Sequence, residues 1–343
     1  MAYISFQPSD FFNTVLYTGN GSTQSITGVG FQPDMNWMKG RSTTENHEIA
    51  DALRGTTKYV APNNSSGQGT DVNALTSFDS DGVSIGSWST YNNNSSTFVM
   101  WNWKAGTTTG LSGGTITPSS YSINTTSGFG MYKFSGTGSN GTIAHGLGAT
   151  PQMVMIKQID GTNNWITQHV GMSAATGILY LNTTAGEQTE AAMFNSTTPT
   201  STVFSLGTAS ETNGSGNEYM AYVWAPVKGY SKFLKWPGNG SSDGTFLYTG
   251  FRPAFFIYKV MSGTTGGWGM LDNKRDPFNP ADNTLQADST NAEADDHDVD
   301  FLSNGLKIRS GGGNINLDGK SYIGMAFAEF PIVSSNSKAG TAR

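Results

Sequence analysis

Short runs of apolar and aromatic residues, separated by clusters of Gly, Pro, Asn and Ser, occur along the whole chain of 343 residues. A run such as "YMAYVW" (219–224) is typical of a β-strand, because it is apolar, short and bounded by turn residues. "SDGVSIGS" (80–87) and "SNGLKIRS" (303–310) each place a turn signal directly before an alternating strand. The pattern predicts an almost entirely β protein, with short helical turns expected only at 49–54 and 187–193.

Five landmarks occur three times in one order, which indicates an internal repeat. Each copy begins with a Gly-rich tetrad, which is followed by a Pro. Counted from that Pro, a Lys follows after six residues, an aromatic or His residue after 14 or 15, and a closing aromatic residue after 70 to 74. The three sets are "GNGS" (19–22), Pro33, Lys39, His47 and Trp103; "GTGS" (136–139), Pro151, Lys157, Trp165 and Trp224; and "GNGS" (238–241), Pro253, Lys259, Trp268 and Phe327. This regularity predicts three diverged copies of one module of about 100 residues.

A unit of this length has a normal domain size, so each copy is expected to bury a core of its own. Many short strands and Gly-rich turns favour an antiparallel β-sandwich of jelly-roll or lectin-like type. A solenoid is disfavoured because its units are shorter. The Asn-Gly pair of the tetrad predicts a tight turn between the first two strands of a module, with the glycine at positive φ.

The repeat boundaries divide the chain into five segments. Residues 1–15 form an N-terminal arm, 16–106 module one, 107–120 a linker, 121–230 module two, and 231–343 module three with a C-terminal tail. Module two is expected to open with a hairpin whose turn is "TTSG". Because no linker is visible before module three, modules two and three are expected to pack directly on each other.

Composition excludes several classes of protein. The chain has 44 Gly, 12% aromatic and 13% charged residues, a balance that argues against disorder. It has no Cys, so disulfides and thiolate metal sites are excluded together. A net charge of −6 makes nucleic acid an unexpected partner, since phosphate binding needs clustered Lys and Arg. We see neither a signal peptide nor an apolar stretch of membrane-spanning length, so membrane insertion is not expected.

Two stretches carry a family resemblance: "ISFQPSDFFNTVLYTGNGSTQSITGVGFQPD" and "NTTSGFGMYKFSGTGSNGTIAHGLGATPQMVMIK". Both resemble repeats in structural proteins of tailed bacteriophages, a family of tail fibre and virion proteins, and "AFAEFPIVSSNSKAGTAR" resembles the ends of the same proteins. The resemblance covers nearly the whole chain. It implies a virion protein, assembled in the host cytoplasm, without catalytic residues. Members of the family usually carry Trp at the position of His47.

Three residues are candidates for ligand contact. Trp165 and Trp268 are flanked by the polar loops "DGTNN" and "SGTTGG", which is compatible with exposed indole rings that could stack on a sugar, although an aromatic residue of a strand more often packs in the core. His145, in "AHGLGATP", is a third candidate; its alternative is a hydrogen-bonded His at the end of a strand.

An acidic stretch, "ADSTNAEADDHDVDF" (287–301), surrounds His297 with carboxylates. Close like charges repel each other, so these groups are either solvated or share a cation. The candidate ligands for a divalent cation are Asp295, Asp296, Asp298 and Asp300. The stretch is interpreted as a lengthened surface loop, and no other cofactor is expected.

The N-terminal arm lies outside the repeat and is rich in aromatic residues. An exposed segment of this kind is an aggregation hazard unless it docks. Tyr3, Phe6, Phe11 and Phe12 are therefore predicted to attach the chain to a neighbouring virion subunit or along its own trimer. The alternative is that the arm adds a strand to module one of its own chain.

Enzymatic activity is not expected. Glu187 and Glu190 lie three residues apart in one loop, whereas paired catalytic carboxylates face each other across a cleft. The preferred hypothesis is an oligomeric tail fibre or appendage subunit, with a trimer as the expected state, that binds other virion proteins and a host surface glycan or protein. The alternative is a capsid decoration or tail-assembly protein that binds only virion subunits. A depolymerase is the least favoured, because no long parallel β-helix repeat is present.

Overall fold

The computed structural model describes residues 6–262 and 265–331, and the predicted fold class is confirmed at the level of an all-β protein. Strands make up 43% of the structure and helices 5%. Every strand pair in the described ranges is antiparallel. No helix in the same ranges is long and apolar enough to cross a membrane.

Module one begins with a single 3-10 turn, Pro8–Asp10. Its elements are β1 (Phe12–Thr18), β2 (Gln24–Thr27), β3 (Met35–Gly40), β4 (Glu48–Asp51), β5 (Lys58–Tyr59), β6 (Gly69–Thr70), β7 (Leu75–Asp79), β8 (Gly82–Ile85), α1 (Ser89–Asn92) and β9 (Thr97–Trp103). They form the sheets β1-β9-β3-β4, β2-β8-β7 and β5-β6.

Module two contains β10 (Ser120–Asn124), β11 (Phe129–Ser135), β12 (Gly141–Ala144), β13 (Met153–Gln158), β14 (Ile166–His169), β15 (Gly177–Tyr180), β16 (Gln188–Thr189), β17 (Val203–Leu206), α2 (Ser210–Asn213) and β18 (Glu218–Trp224). Seven of its strands form the sheet β10-β11-β18-β13-β14-β15-β16, and β12 pairs with β17. The hairpin predicted at its start is confirmed, since Asn124 lies opposite Phe129 and "TTSG" connects them.

Module three contains β19 (Ser231–Pro237), β20 (Phe246–Tyr248), β21 (Phe251–Val260), β22 (Gly269–Asp272), β23 (Ala281–Gln286), β24 (Ala294–Leu302), β25 (Gly305–Ile308), α3 (Gly313–Asn316) and β26 (Ser321–Pro331). All eight strands join in one order, β19-β26-β21-β22-β23-β24-β25-β20, which is nearly closed into a barrel. Among the described residues, strand pairing stays within each module.

The closing strand of each module is buried on both faces. In β9, Val99, Trp101 and Trp103 enter a core that all three modules share, whereas Phe98 is buried on the opposite face and Met100 enters a core of module one alone. The same alternation occurs in the other two modules: Met220, Tyr222 and Trp224 of β18 and Ile323, Met325 and Phe327 of β26 also enter the shared core. A strand that is apolar on both faces reads as a continuous apolar run, which is why these three strands stand out in the sequence.

Each module buries a core of its own, as expected, but the modules are not independent, because they also share a fourth core. Aromatic rings from different modules meet at the centre: Phe12 lies 5.6 Å from Phe255 and 5.0 Å from Phe327, and Trp103 lies 6.3 Å from Trp224, between ring centroids. The segment 107–120 does not act as a free linker either, because Ile116 is buried in the core of module two. Modules two and three pack directly, as expected.

The recurring tetrad forms a turn whose backbone is hydrogen-bonded to the side chain of a buried asparagine. Gly21 has φ of +68°, as predicted for the turn between the first two strands of a module. Asn92, the last residue of α1, accepts a hydrogen bond from the backbone N–H of Asn20 (2.8 Å) and donates to the carbonyl oxygens of Gly86 (2.9 Å) and Ser22. The equivalent residues in modules two and three are Gly138 with Asn213 and Gly240 with Asn316.

The short helices are not where the sequence predicted them. Residues 49–54 contain most of β4, and 187–193 contain β16. The observed helices α1, α2 and α3 are single turns that deliver the buried asparagines. Each asparagine lies eleven residues before the closing aromatic residue of its module, a fixed spacing that the sequence contains.

We expect Asn92→Ala to lower the free energy of unfolding by about 2–3 kcal/mol, because the substitution leaves a buried N–H and two carbonyl oxygens without partners. Urea denaturation measures the change. Asn94→Ala is the matched control, since Asn94 is exposed in the same region of the chain. An equal, small loss in both variants would show that the asparagine does not hold the turn.

Candidate functional site

The repeated lysine of each module lies at a boundary with another module. Lys39 Nζ donates to the carbonyl oxygen of Thr290 in module three (3.2 Å), and Lys157 Nζ donates to that of Ser65 in module one (3.0 Å). Lys259 Nζ donates to the carbonyl oxygen of Thr184 in module two (2.9 Å), which closes the ring of contacts. Burial lowers the pKa of each ammonium group to about 8.

Trp165 and Trp268 also form hydrogen bonds across module boundaries. The interpretation of these residues as exposed ligand contacts is wrong. Trp165 Nε1 donates to the carbonyl oxygen of Ala61 in module one, and Trp268 Nε1 to that of Tyr180 in module two, both at 2.9 Å. Their exposed fractions are 0% and 1%. Gly266, beside Trp268, donates its N–H to the carbonyl oxygen of Thr184 in module two (3.0 Å), and Gly161, beside Trp165, lies against Gly67 of module one. Both indoles are therefore closed to a ligand while the modules stay together.

His47 occupies the same place in module one. It is fully buried, and it accepts a hydrogen bond at Nδ1 from the indole N–H of Trp37 (3.1 Å). Burial lowers the pKa of the imidazole well below its usual value, while the main chain of Gln286 in module three opposes that shift. The smaller ring of His47 therefore packs with Trp37 of β3. Module two has Met155 at the register position of Trp37.

Two boundaries also contain a buried ion pair. Arg54 Nε lies 2.5 Å from Asp51 Oδ2, and Tyr222 of module two donates its hydroxyl to the same carboxylate (2.8 Å). The second pair, Arg275 with Asp272, receives a hydrogen bond from Trp101 of module one in the same way. Module two has His169 and Met172 at these positions, and burial lowers the pKa of His169 to about 3, so its imidazole is neutral.

A cavity of about 520 Å³ lies between modules one and two. Its two walls meet at the backbone: Gln68 N–H donates to the carbonyl oxygen of Ile159 (2.7 Å), and a Cβ on Gly67 would lie 2.9 Å from that oxygen. Glycine at position 67 therefore permits the close approach of the two loops. At the boundary between modules one and three, the carboxylate of Glu293 binds Arg41 at the corresponding place (2.7 Å).

Neutral hydrogen-bonding groups dominate the lining of the cavity, which includes Asn46, Tyr59, Asn64 and Gln68. The side-chain oxygen of Asn46 accepts from Asn63 (2.8 Å), which leaves its amide nitrogen without a partner among the described residues. The ring of Tyr59 is fixed between Trp88, at a centroid distance of 4.5 Å, and Gly69, where no Cβ could fit.

Glu48 is the most unusual residue of the lining. Its exposed fraction is 1%, and neither carboxyl oxygen has a hydrogen-bond partner among the described residues. Burial raises the pKa of this carboxyl group well above its usual value; Arg54 opposes the shift and Glu45 adds to it. A carboxyl group left unpaired in a protein interior is costly, so its presence beside a cavity needs an explanation.

His145 lies at the end of β12, away from this cavity's lining. It is fully buried; its Nε2 lies 3.1 Å from the carbonyl oxygen of Thr200, and its Nδ1 accepts from Leu147 N–H (3.1 Å). Burial lowers the pKa of the imidazole. The hydrogen-bonded His at a strand end, which we considered as the alternative, describes this environment.

The structure brings together two of the four predicted cation ligands. Asp295 and Asp298 lie with Asp282 so that one oxygen of each falls within 4.8 Å of the others. Burial raises the pKa of Asp282, and the neighbouring carboxylates of Asp276, Asp295 and Asp298 add to the shift. The sequence did not indicate Asp282, because it comes from the adjacent strand β23.

The other two acidic candidates have different neighbours. Asp300 pairs with Arg309 (2.6 Å), and Asp296 lies 3.1 Å from the buried His297. The interpretation of this stretch as a surface loop is wrong for residues 294–302, which form β24.

The described aromatic residues of the arm pack on their own chain. Phe12 is the first residue of β1 and lies opposite Trp103, so the arm ends at residue 11 rather than 15. Phe6 contacts Phe11 (4.9 Å) and Tyr230, the last residue of module two (5.6 Å). Residues 6–11 add no strand to module one, and attachment of the arm to another subunit stays a prediction. Tyr3 lies outside the described residues.

Sequence reasoning missed Glu48 and the two Asp–Arg pairs. The signal was present: "HEIADALR" places an acidic residue in a strand where the same register position is Ile166 in module two and Gly269 in module three. The spacing Asp-x-x-Arg likewise recurs as "DALR" and "DNKR". Both signals need the register of three copies to be aligned first.

The geometry defines an all-β protein whose antiparallel sheets are joined by buried polar contacts around a shared apolar core. The chain belongs to the family described as a domain of unknown function, DUF7483, whose model matches residues 7–331. The match covers nearly all of the residues that the structure describes. No curated protein and no solved structure matches the chain.

We expect Arg54→Met to destabilise the protein by about 3–5 kcal/mol, because it leaves the carboxylate of Asp51 buried without its cation. The double variant Asp51→His with Arg54→Met copies module two and should cost less. Chemical denaturation compares the two, with Arg309→Met as a control at an exposed pair. If the double variant proved as unstable as the single one, the ion pair would add more to the free energy of unfolding than is needed to offset the cost of burying its two charges.

The buried lysines predict a dependence of stability on pH. The pKa of Lys157 is about 8 in the folded chain and 10.5 ordinarily, so the unfolded chain binds more protons between these values. Below pH 8 the ammonium group is charged in both states, and the full cost of burying that charge lowers the free energy of unfolding. Between pH 8 and 10 the folded chain loses this proton first, so the cost is relieved. We therefore expect wild type to gain stability relative to Lys157→Met between pH 8 and 10, measured by urea denaturation. Lys232→Met, at an exposed position, should show no such trend.

Proposed function

We propose that this chain is a structural, non-enzymatic subunit of a tailed bacteriophage particle, in a tail fibre or appendage that contacts the host surface. The observation that carries the proposal is the closed ring of buried contacts between modules, which makes a rigid body suited to assembly. The resemblance of "GNGSTQSITGVGFQPD" and "GTGSNGTIAHGLGATPQ" to phage structural repeats supports it from the sequence. The place of action is then the virion.

Within this proposal, the chain consists of three diverged β-sandwich modules of jelly-roll or lectin-like type. The support is a set of equivalent backbone hydrogen bonds after each repeated Pro: Ala52 N–H donates to Asp34, Val170 to Gln152 and Asn273 to Ala254, at 2.8, 2.8 and 2.9 Å. Each acceptor follows Pro33, Pro151 or Pro253 directly. Common ancestry of the modules explains why three boundaries use the same contacts.

Other virion proteins are the proposed partners, and a homotrimer remains the proposed oligomeric state. A sheet edge such as β16 lies at the end of the seven-stranded sheet, where a further strand could pair. Because Phe6, Phe11 and Phe12 are occupied within the chain, attachment to the particle would use such edges or the residues before Phe6.

The second candidate function is a capsid decoration or tail-assembly protein. The rigid body favours it equally, since it needs no host ligand. The cavity between modules one and two favours the appendage instead, because a protein that binds only virion subunits needs no open site lined by hydrogen-bonding side chains.

Quantitative mass spectrometry of purified particles of the virus that encodes the chain tests the proposal, together with competition of particle adsorption by the purified protein. We expect a low copy number per particle and a slower adsorption in the presence of the folded protein, with heat-denatured protein as the control. Hundreds of copies without competition would favour the capsid alternative. Absence of the chain from purified particles would contradict both.

A further inference from the structure

Glu48 marks the cavity between modules one and two as a binding site. The position belongs to a strand register that carries Ile166 in module two and Gly269 in module three, so the fold does not need an acidic residue there. The residue lines the cavity, yet both of its carboxyl oxygens are fully buried and unpaired among the described residues, so a ligand in the cavity reaches them only if the side chain turns toward it. A ligand that hydrogen-bonds to it would satisfy a group that the protein alone leaves unsatisfied.

The groups around Glu48 indicate the chemistry of that ligand. Arg54, the nearby cation, is already bound to Asp51 and to the carbonyl oxygen of Ile49. The amide nitrogens of Asn46 and Asn64 have no partner among the described residues, and each offers two N–H donors. The cavity therefore presents neutral donors and acceptors at several angles, with no free cation for an anionic ligand.

The size of the cavity fits a small molecule. Its volume of about 520 Å³ lies within the range of roughly 300–1,000 Å³ that small-molecule sites occupy. A predominantly polar lining favours a ligand with many hydroxyl groups over an apolar one. Asp160 at the edge of the cavity disfavours phosphate and carboxylate ligands by repulsion.

We propose that this cavity binds a neutral saccharide unit whose hydroxyl groups pair with the carboxyl group of Glu48 and with the amides of Asn46 and Asn64. A saccharide is then the class of host-surface ligand in the proposed function. That function is needed only to place the ligand on the host surface. It also moves the saccharide site away from Trp165 and Trp268, the residues that the sequence indicated.

Protonation of Glu48 gives the site a pH dependence. The titratable groups that act on it are Arg54, Glu45, Tyr59 and Tyr91. Because burial raises its pKa well above the usual value, the carboxyl group keeps its proton at mildly acidic pH and donates a hydrogen bond to a sugar oxygen. As the pH rises through that raised pKa, the donor is lost and binding weakens.

The test measures saccharide binding to the purified full chain by saturation-transfer NMR and calorimetry, without virus or cells. The probes are glucose, galactose, mannose, rhamnose, N-acetylglucosamine and N-acetylgalactosamine, with Ca²⁺ tested separately. We expect at least one sugar to bind and Glu48→Ile, which copies module two, to lose tenfold or more in affinity. Glu48→Gln keeps a neutral donor, so it should bind within about threefold of wild type and lose the pH dependence.

Glu190→Gln is the matched control, because it makes the same change at an exposed carboxylate outside the cavity and should leave binding unchanged. Thermal melting checks folding, and Glu48→Ile is expected to melt higher than wild type since it removes an unpaired buried acid. The proposal is overturned if no sugar binds, if Glu48→Ile binds as well as wild type, or if only Ca²⁺ binds and Glu48→Gln abolishes it. A chain that binds sugar but is absent from particles would contradict the proposed function alone.

Discussion

Burial of the closing strands on both faces is the constraint on which the rest of the structure depends. Trp103, Trp224 and Phe327 point away from the cores of their own modules and toward the common centre. A module released from the other two would expose these rings to water, and a fully buried aromatic side chain contributes about 1.5–3 kcal/mol relative to an exposed one. The modules must therefore stay together, and their loops must fit each other wherever their edges meet.

An apolar centre holds the modules together but does not fix how they are rotated relative to one another, because hydrophobic contact is non-directional. Directional contacts supply that information at the periphery. Lys39, Lys157 and Lys259 each place an ammonium group on backbone carbonyl oxygens of a neighbouring module, which side-chain variation cannot remove. Each of these groups loses its hydrogen bond to the neighbouring module if a module turns, so the ring of contacts selects one arrangement.

The sequence predicted what depends on local pattern and missed what depends on the relation between modules. The all-β class, the positive φ of Gly21 and the hairpin at "TTSG" follow from short stretches, and all three are observed. The exposure of Trp165 was judged from its polar flanks, which were interpreted as solvent-facing when they face another module. Glu48 and Asp282 were not recognised as parts of sites, because their neighbours lie on other strands and the register of the three copies was not aligned.

Covalent linkage of the three modules has a consequence for how such a body can change over time. In an assembly of identical chains, a substitution appears at every interface at once, so a change that helps one contact and harms another is lost. Here each boundary is encoded separately. Module one has His47 and Glu48 where the other two have Trp and either Ile or Gly, and module two has His169 and Met172 where the other two have an ion pair. A ring of near-identical parts can in this way present a single, unrepeated recognition surface.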